Sequence, residues 1–401
     1  MKNSKINLPL SSFFLVTILA VLVFIRIVTY LPLSLEDGQV KLIGKITTEP
    51  RIFGTTQYFR IENLSVKTGT EVNLEKGDRV KLSGISLDNQ IAFPKIEIVD
   101  KNKSQISKFR NYLAGKVKKQ LPSPYSDLIL GMVLGIDSLP GVAKENLRNA
   151  GTIHAVVVSG QNITLLAGLV LGLVGFLNRR LVLVLVIGLV FFYSFLTGFA
   201  PPAVRASLMA SIAFSGQIFG RQTYTILVLV ITGLVMLIFS PQLLGDLSFQ
   251  LSFAATFGII AVAPLILGRF KFLPKLLAEG ISISLAAYLM TLPILGFSFN
   301  QVSLVGVLAN IFVYPMLGLC LILSLLATLF APIPILGMVF AYLALFPLWI
   351  FYQISAFFAS LPLATLGVNL SSALVWIYYI VLGILLLTLQ GVKLRLKTSA
   401  K

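Results

Sequence analysis

Carboxylate side chains are scarce in the larger part of this chain. Between Thr152 and Lys401 only Asp246 and Glu279 are acidic, although polar and basic residues occur within the apolar runs of the same stretch. An ionised side chain at the centre of a bilayer costs about 2.5–3.5 kcal/mol even on the mildest scale, so a membrane protein keeps such groups for a purpose. An acid-poor polar path through a membrane favours an anion over a cation as the species that moves along it.

Cysteine and histidine each occur once, as Cys320 and His154. A single cysteine excludes a disulfide within the chain. Zinc sites need about three or four protein ligands, so we expect neither a metal site nor a cofactor here. The chain also lacks a GxxxxGKS/T phosphate loop, which excludes a P-loop ATPase.

Apolar residues dominate what is present. They make up 57% of the 401 residues, whereas soluble domains average about 45–50%, and the mean hydropathy is +0.92. The sequence predicts a mainly α, polytopic transmembrane helical bundle of about 9–11 spans, since about 20 apolar residues cross a bilayer. Its expected spans after the first are 152–176, 181–198, 202–219, 224–240, 248–267, 277–297, 302–330, 333–361 and 371–390.

The domain 1–35 holds the first apolar run, residues 8–30. We interpret this run as an uncleaved transmembrane anchor, because it is long for a signal peptide and no small-x-small cleavage site follows it. Lys and Arg follow the expected spans 152–176, 202–219, 248–267 and 371–390, and this bias places both termini in the cytoplasm and residues 36–100 outside. Prolines between positions 300 and 370 could break spans or form re-entrant segments, and we expect Pro315 to divide 302–330.

Residues 36–100 have a different character. Their nine basic and ten acidic residues nearly cancel, and short alternating apolar runs are separated by Gly-containing turns. This pattern is typical of a small β-barrel or sandwich. The segment Leu74–Gly84, LEKGDRVKLSG, resembles a strand entry of OB-type barrels, many of which bind oligonucleotides. We expect a small extracytoplasmic OB-like β-barrel domain, and the alternative to nucleic-acid binding is a domain that binds nothing or only protein.

Residues 101–121 carry seven basic residues and no acid. At 100° per residue, apolar side chains fall on one helix face and several bases fall opposite. The pattern predicts a basic amphipathic helix in the membrane interface. It either anchors the chain to anionic lipid headgroups or gathers a polyanion at a pore mouth. The bases expected to bind a polyanion or lipid are Lys108, Lys116, Lys118 and Lys119.

The segment that starts at Gly151, GTIHAVVVSGQNITLLAG, places polar side chains in an apolar setting. A Ser–His hydrolase is one interpretation, but His154 and Ser159 lie about 140° apart on a helix and no local carboxylate orients the imidazole. A break at Gly160 could bring the two together. Hydrogen bonding between helices is a second interpretation. The third is a polar path lined by His154, Ser159, Gln161 and Asn162.

The segment 196–206, LTGFAPPAVRA, ends one helix and starts the next at its prolines, which the first helical turn accepts. Arg205 in that turn either snorkels to the outer interface or is a fixed cation at the mouth of a path. Further along the chain, Asp246 is expected to cap a helix, and Gln250 lies one turn inside that helix. Asn310 lies inside a span, where backbone groups freed by Pro315 could pair with it. These residues complete our set of path candidates: Arg205, Asp246, Gln250 and Asn310.

Four of these segments carry a resemblance. They occur in the order GTIHAVVVSGQN, LTGFAPPAVRASLM, DLSFQLSFAATFG and VSLVGVLANIFVYP. In order and spacing they resemble the ComEC family, the inner-membrane channel proteins of bacterial DNA uptake. The resemblance covers nearly the whole chain, with residues 36–100 similar to the OB-like domain of that family and residues 122–401 similar to its competence-type transmembrane bundle.

The resemblance implies a plasma-membrane channel for single-stranded DNA in natural transformation, with membrane lipids as surroundings. It also implies a separate cytoplasmic ATPase motor and an external DNA receptor. Many members read SGxH where this chain has Ser159 to Asn162. Many also continue into a metallo-β-lactamase-like domain that needs several histidines, so we expect no nuclease activity here and a possible separate nuclease.

Two alternatives to a DNA channel stay open from the residues. One is a secondary transporter or permease for an anionic small molecule or lipid, which could share the same bundle. The other, less favoured, is an intramembrane hydrolase at Ser159.

Overall fold

The computed structural model describes most of the chain, including the N-terminal helix, the β region and the helical bundle. The described residues are 10–29, 38–46, 50–53, 56–61, 64–72, 74, 77–87, 90–101, 105–218, 224–270 and 272–399. The first helix, α1 (Leu10–Thr29), occupies the run expected to be the N-terminal anchor, and it contacts helix α9 (Thr225–Phe239) of the bundle.

The region expected to be an OB-like domain is a seven-stranded sheet. Its hydrogen-bonded order is β1-β5-β6-β4-β3-β2, with β7 paired to β5 and only the β4–β6 pair parallel. One further bridge joins Ile46 to Ile61. The pairing of the described strands does not show the closed barrel that the sequence predicted. The strands are β1 (Gly38–Lys45), β2 (Arg51–Phe53), β3 (Thr56–Ile61), β4 (Leu64–Gly69), β5 (Arg79–Leu87), β6 (Gln90–Ala92) and β7 (Lys95–Asp100).

Alternating apolar residues form the core of this sheet, as the sequence pattern indicates. On β3, Phe59 and Ile61 are buried, and on β5 Val80 and Leu82 are buried in the same core. Side chains at every second position of a strand share one face, so two short runs suffice to cover a small core.

The rest of the chain is helical. Five helical segments of the described residues are long and apolar enough to cross a membrane: 179–196, 247–267, 277–299, 306–330 and 334–359. Five shorter apolar helices, 15–29, 125–134, 160–171, 225–239 and 372–386, do not reach that length. Besides α1 and α9, the α-helices of the described residues, including those just given by number, are α2 (Gln105–Lys118), α3 (Tyr125–Ile129), α4 (Gly141–Asn149), α5 (Ile153–Val156), α6 (Gly160–Leu171), α7 (Arg179–Leu196), α8 (Pro201–Ile218), α10 (Leu247–Phe257), α11 (Ala263–Leu267), α12 (Lys275–Phe299), α13 (Gly306–Phe330), α14 (Pro334–Ala359) and α15 (Ser372–Ser399).

The first bundle span expected from the sequence, 152–176, is discontinuous. Helix α5 ends at Val156, Val157 is extended, and α6 begins at Gly160 with Ser159 as its N-cap. Irregular backbone at membrane depth is tolerated where protein covers it or where it lines a polar cavity. The expected span is therefore divided into two helices, with non-helical backbone between Val156 and Gly160.

The expected break at Pro315 is wrong. Helix α13 continues through Pro315, and α14 continues through Pro347. The interruption lies instead at the helix ends, where β8 (Gln301–Ser303) pairs antiparallel with β9 (Thr365–Gly367). Proline inside a membrane helix is tolerated because neighbouring groups can satisfy the freed backbone.

One such proline lies in α12. Pro293 has no N–H to donate to the Leu289 carbonyl one turn earlier. The Tyr378 hydroxyl of α15 donates to this carbonyl at 3.0 Å, and the adjacent Tyr379 donates to the Met290 carbonyl at 2.8 Å. Two tyrosines of α15 thus donate to carbonyl groups of α12 one turn before Pro293.

The basic helix α2 packs its apolar face against the bundle. Leu113 and Val117 are 1% and 0% exposed and belong to the main core. Phe109, which precedes Leu113 by four residues and shares its helix face, is 41% exposed, and its ring centroid lies 6.4 Å from that of Phe195. Protein therefore covers the face that the sequence assigned to lipid.

Candidate polar site at a broken helix

The N-terminus of α6 is held by its own first turn. The Ser159 hydroxyl accepts from the Asn162 backbone N–H at 3.4 Å and donates to the Asn162 side-chain oxygen at 3.1 Å. Serine and asparagine are favoured at helix starts because they satisfy the first free N–H groups. The SGQN sequence therefore starts a helix within an otherwise apolar segment.

The side chain of Asn162 is buried and hydrogen-bonded to a neighbouring helix. Its side chain is 5% exposed and its Nδ2 donates to the Tyr193 hydroxyl at 3.0 Å. The Tyr193 hydroxyl in turn donates to the Met132 carbonyl at 2.6 Å. This arrangement favours the interhelical hydrogen-bonding interpretation for Asn162. Sequence reasoning missed Tyr193 and Met132, because neither stands out from the apolar residues around it.

Arg205 lies inside the protein. Its side chain is 6% exposed, its Nε donates to the Ser252 hydroxyl at 2.8 Å, and its Nη1 contacts the Met209 sulfur at 3.3 Å. The guanidinium carbon lies 5.8 Å from the ring centroid of Phe253. The snorkelling interpretation is therefore wrong, since α8 and α10 enclose the side chain.

Arg205 also reaches the start of α6. A Cβ atom at Gly160 would collide with Nη2 of Arg205. In the part of the chain that the structure describes, Nη2 has no hydrogen-bond acceptor and no carboxylate pairs with Arg205. Two segments far apart in sequence, around positions 160 and 252, therefore meet at one buried cation.

The site has further free donors at its edge. The backbone N–H groups of Gly160 and Gln161 donate to no other described residue, as expected for the first two positions of a helix. The Gln161 side chain is partly exposed. N–H groups without acceptors thus lie at the start of α6, the helix end against which the Arg205 guanidinium packs.

His154 and Ser159 do not form a catalytic pair. The His154 ring is exposed and its Nδ1 lies 3.1 Å from the Gly151 carbonyl. No hydrogen bond among the described residues joins it to Ser159, whose hydroxyl is engaged with Asn162. A nucleophile and its base must lie within hydrogen-bond reach of each other, and this geometry gives the hydrolase interpretation no support.

Asp246 caps α10, as the sequence predicted. Its carboxylate accepts from the Phe249 N–H at 2.8 Å. Gln250 is exposed, and its Nε2 donates to the Leu244 carbonyl at 2.7 Å. The cap fixes the start of the helix that carries Ser252 to Arg205.

Asn310 lies apart from this group. Its neighbour Ala309 packs with Ala150 and Phe358. The Asn310 side chain, which is partly buried, forms no hydrogen bond with another described residue. The expected pairing with backbone freed by Pro315 is therefore not what the structure shows.

The basic helix presents part of its charge outward. Lys108, Lys118 and Lys119 are exposed, and Lys116 is partly buried with its amine 5.5 Å from the Tyr112 ring centroid. On the β domain, the Lys67 amine lies 5.5–5.7 Å from the ring centroids of its neighbours Phe93 and Tyr58. Cations beside exposed aromatic rings are common in surfaces that bind single-stranded nucleic acid.

Groups of three or more His, Cys, Asp or Glu side chains that could hold a metal ion do not occur among the residues described. At the broken helix the structure brings together free N–H groups and the guanidinium of Arg205.

The fold and the site define a class: a helical membrane protein with a small β domain and a buried, acid-free cation at a broken helix. The profile of the family described as "Competence protein" matches residues 132–392. The chain belongs to this family. The domain that defines the family is not a known catalytic domain.

Three similar proteins extend this comparison. ComE operon protein 3 of Bacillus subtilis (strain 168) is 29% identical over 177 residues, which cover 44% of this chain and 22% of that protein. An uncharacterized protein of Aquifex aeolicus (strain VF5) is 28% identical over 269 residues, 63% of this chain and 62% of that protein. The uncharacterized protein YcaI of Escherichia coli (strain K12) is 28% identical over 239 residues, 54% of this chain and 31% of that protein.

The matched region thus spans less than two thirds of each of these relatives. No solved structure gives a significant match to this chain.

Proposed function

We propose that this protein acts in DNA uptake during competence, as a plasma-membrane channel for single-stranded DNA. Membership of the competence protein family supports the role in DNA uptake. The acid-poor bundle with a buried cation at its broken helix supports the transport of an anion. A permease for an anionic small molecule is the alternative, and no feature of the site favours it over a polyanion.

The physical requirement for such a channel is simple. A DNA strand carries about one negative charge per nucleotide and cannot cross hydrocarbon without donors for its phosphates. Carboxylates along the route would repel it. The bundle supplies donors at Gln161, Arg205 and Gln250. The carboxylate of Asp246 accepts a hydrogen bond from the start of its own helix.

The route we propose runs past the α6 N-terminus and Arg205. Asn162 is not part of it, because its side chain already serves Tyr193 and Ser159. The exposed bases of α2 would attract the strand or anionic lipid from a distance, an effect that weakens with salt. Residues 36–100 would face outside, where Lys67 and its aromatic neighbours could contact DNA.

The proposed channel needs partners. No phosphate loop is present in the sequence, so a separate cytoplasmic ATPase motor would pull the strand. An external DNA receptor would deliver it, and a separate nuclease could supply the single strand.

Deletion of the gene followed by complementation tests this function. Entry of fluorescently labelled DNA into the cytoplasm, and the number of transformants, should fall to background on deletion and return with the wild-type gene. Normal uptake in the deletion strain would refute the proposal. Ion-coupled flux of a small anion in proteoliposomes, with normal DNA uptake, would establish the permease instead.

A further inference from the structure

Two arginines are buried in this protein to the same extent, each 6% exposed, but they meet opposite environments. Arg110 of α2 donates from Nη2 to the Leu134 carbonyl at 2.7 Å, at the C-terminal end of a helical turn. It also lies against Gly198, directly after the C-terminus of α7. Helix C-termini carry partial negative charge and favour a cation. The charge of Arg110 is therefore compensated by the fold.

Arg205, in contrast, packs against the N-terminus of a helix. Its Nη2 lies against Gly160, the first residue of the 12-residue helix α6. Helix N-termini carry partial positive charge and free N–H groups, which disfavour a neighbouring cation. The contacts of Arg205 are a hydroxyl, a thioether and an aromatic ring, none of which carries a full negative charge. The protein alone leaves this charge uncompensated.

Burying an uncompensated charge costs several kcal/mol per ion, even after relaxation of the surroundings. An anion that lies beside Nη2 of Arg205 and the free N–H groups at the start of α6 would make both interactions favourable. Membrane transporters use this arrangement, in which the N-terminus of a discontinuous helix points at an anionic substrate group. We infer that the Gly160–Arg205 junction is a binding site for one phosphate-class oxyanion.

The donors present fit that class of ligand. Nη2 of Arg205 and the N–H groups of Gly160 and Gln161 offer several donors to one small anion with several oxygens. A guanidinium and helix N–H groups are the common partners of phosphate in proteins. The absence of a side chain at Gly160 keeps the guanidinium close to the helix end. The inference rests on the proposed function only for the source of the anion, which would be a backbone phosphodiester of the strand.

Thermal unfolding of the purified full-length protein in detergent tests the site itself. The probe is inorganic phosphate, titrated against chloride at constant ionic strength and pH. We expect a saturable rise of several degrees in the Tm of the wild-type protein, lost in Arg205→Gln and retained in Arg110→Gln. In chloride alone, Arg205→Gln should unfold no lower than wild type, whereas Arg110→Gln should unfold lower.

The two arginine variants are matched in chemistry and burial, so a general salt effect cannot imitate this pattern. An equal phosphate effect in wild type and Arg205→Gln, or no effect in wild type, would overturn the site. A conservative variant, Arg205→Lys, keeps the charge and should retain a weakened phosphate response, which distinguishes loss of binding from loss of folding.

A second experiment identifies the source of the anion. Oligothymidylate with a phosphodiester backbone should bind wild type more tightly than the same oligomer with a neutral methylphosphonate backbone, and Arg205→Gln should reduce that preference at least several-fold. A phosphate response without any such preference would keep the site and refute a DNA phosphate as its ligand. Loss of DNA uptake on gene deletion together with normal uptake by Arg205→Gln would keep the proposed function and refute the role of the site.

Discussion

Nη2 of Arg205 occupies the space that a side-chain carbon on Gly160 would fill. Glycine is needed here for close approach and not for an unusual backbone angle, since Gly160 takes the first position of an ordinary helix. This contact connects α6 to α8, and the bond from Arg205 to Ser252 connects α8 to α10. One glycine and one arginine thus connect three helices.

Gly160→Ala should disturb this junction more than any other small change. The added methyl group forces the guanidinium away, and overpacking of this kind costs about 1–3 kcal/mol. The control is Gly168→Ala on the same helix, where a Cβ meets nothing within 4 Å and helix propensity favours alanine by about 0.5–1 kcal/mol. We expect a lower Tm and reduced DNA uptake for Gly160→Ala only. Equal behaviour of the two variants would refute the close contact.

Tyr193→Phe should destabilise the bundle. It removes the hydroxyl that donates to the Met132 carbonyl and accepts from Asn162, both of which are enclosed by protein. A buried group left unpaired costs about 1–3 kcal/mol. Tyr342→Phe is the control, because Tyr342 is 58% exposed. Chemical unfolding in mixed micelles should show a lower unfolding free energy for Tyr193→Phe alone. Equal unfolding free energies for the two variants would contradict the hydrogen bonds of the Tyr193 hydroxyl.

Tyr378→Phe should be costly only while Pro293 is present. The tyrosine hydroxyl serves the Leu289 carbonyl that the proline leaves without a helical donor. In Pro293→Ala the restored N–H can serve the same carbonyl, so the loss of the hydroxyl should matter less. A double-mutant cycle on unfolding free energy should give a coupling of about 0.5–2 kcal/mol, in the range found for interacting residues. Additive effects would mean that the two groups are independent.

Reversal of charge on α2 should weaken attraction for polyanions. The variant combines Lys108→Glu, Lys118→Glu and Lys119→Glu, all at exposed positions. Each base that no longer pairs with a phosphate should reduce the salt slope of binding by about one unit, so oligonucleotide or anionic-vesicle binding should become weaker and less salt-dependent. Reversal of three exposed bases of the β domain, Lys41, Lys45 and Lys95, gives an equal change in charge as a control. A loss of binding that is independent of salt would indicate damage to folding.

The sequence predicted features that depend on local chemistry. The alternating apolar runs of residues 36–100 predicted strands with one buried face, such as β3 with Phe59 and Ile61, and the position of Asp246 before an apolar run predicted its capping bond. Such features depend on residues a few positions apart. They are therefore visible without knowledge of the fold.

Features that depend on which side of a helix meets protein could not be predicted. Hydropathy is equally high for lipid-facing and protein-facing positions, so Arg205 could be assigned to the interface although the bundle buries it. The hydrogen bond between Asn162 and Tyr193 joins two helices, and α13 continues through Pro315, which the residues of that segment alone did not indicate. The length of a helix was equally hard to predict: the expected span 152–176 contains the shorter helix α6, which begins only at Gly160.

Ser159→Asp should imitate the bound anion. Aspartate is as good an N-cap as serine, so α6 can still begin at Gly160, but its carboxylate adds the negative charge that Arg205 and the helix N-terminus lack. A favourable charge at a helix N-terminus is worth about 0.3–1 kcal/mol when exposed and up to about 2 kcal/mol when partly buried. The variant should have a higher Tm than wild type in chloride, no further response to phosphate, and impaired DNA uptake because the site is occupied.

Ser159→Asn is the matched control for that experiment. Asparagine caps helices as well as aspartate and has nearly the same shape but no charge. It should leave the phosphate response and DNA uptake close to wild type, so the difference between the two variants isolates the added charge beside Arg205. A full phosphate response in Ser159→Asp, or an equal loss of uptake in both variants, would mean that Ser159 matters only as a helix cap. Either result would refute the binding of an anion by Arg205 at this helix end.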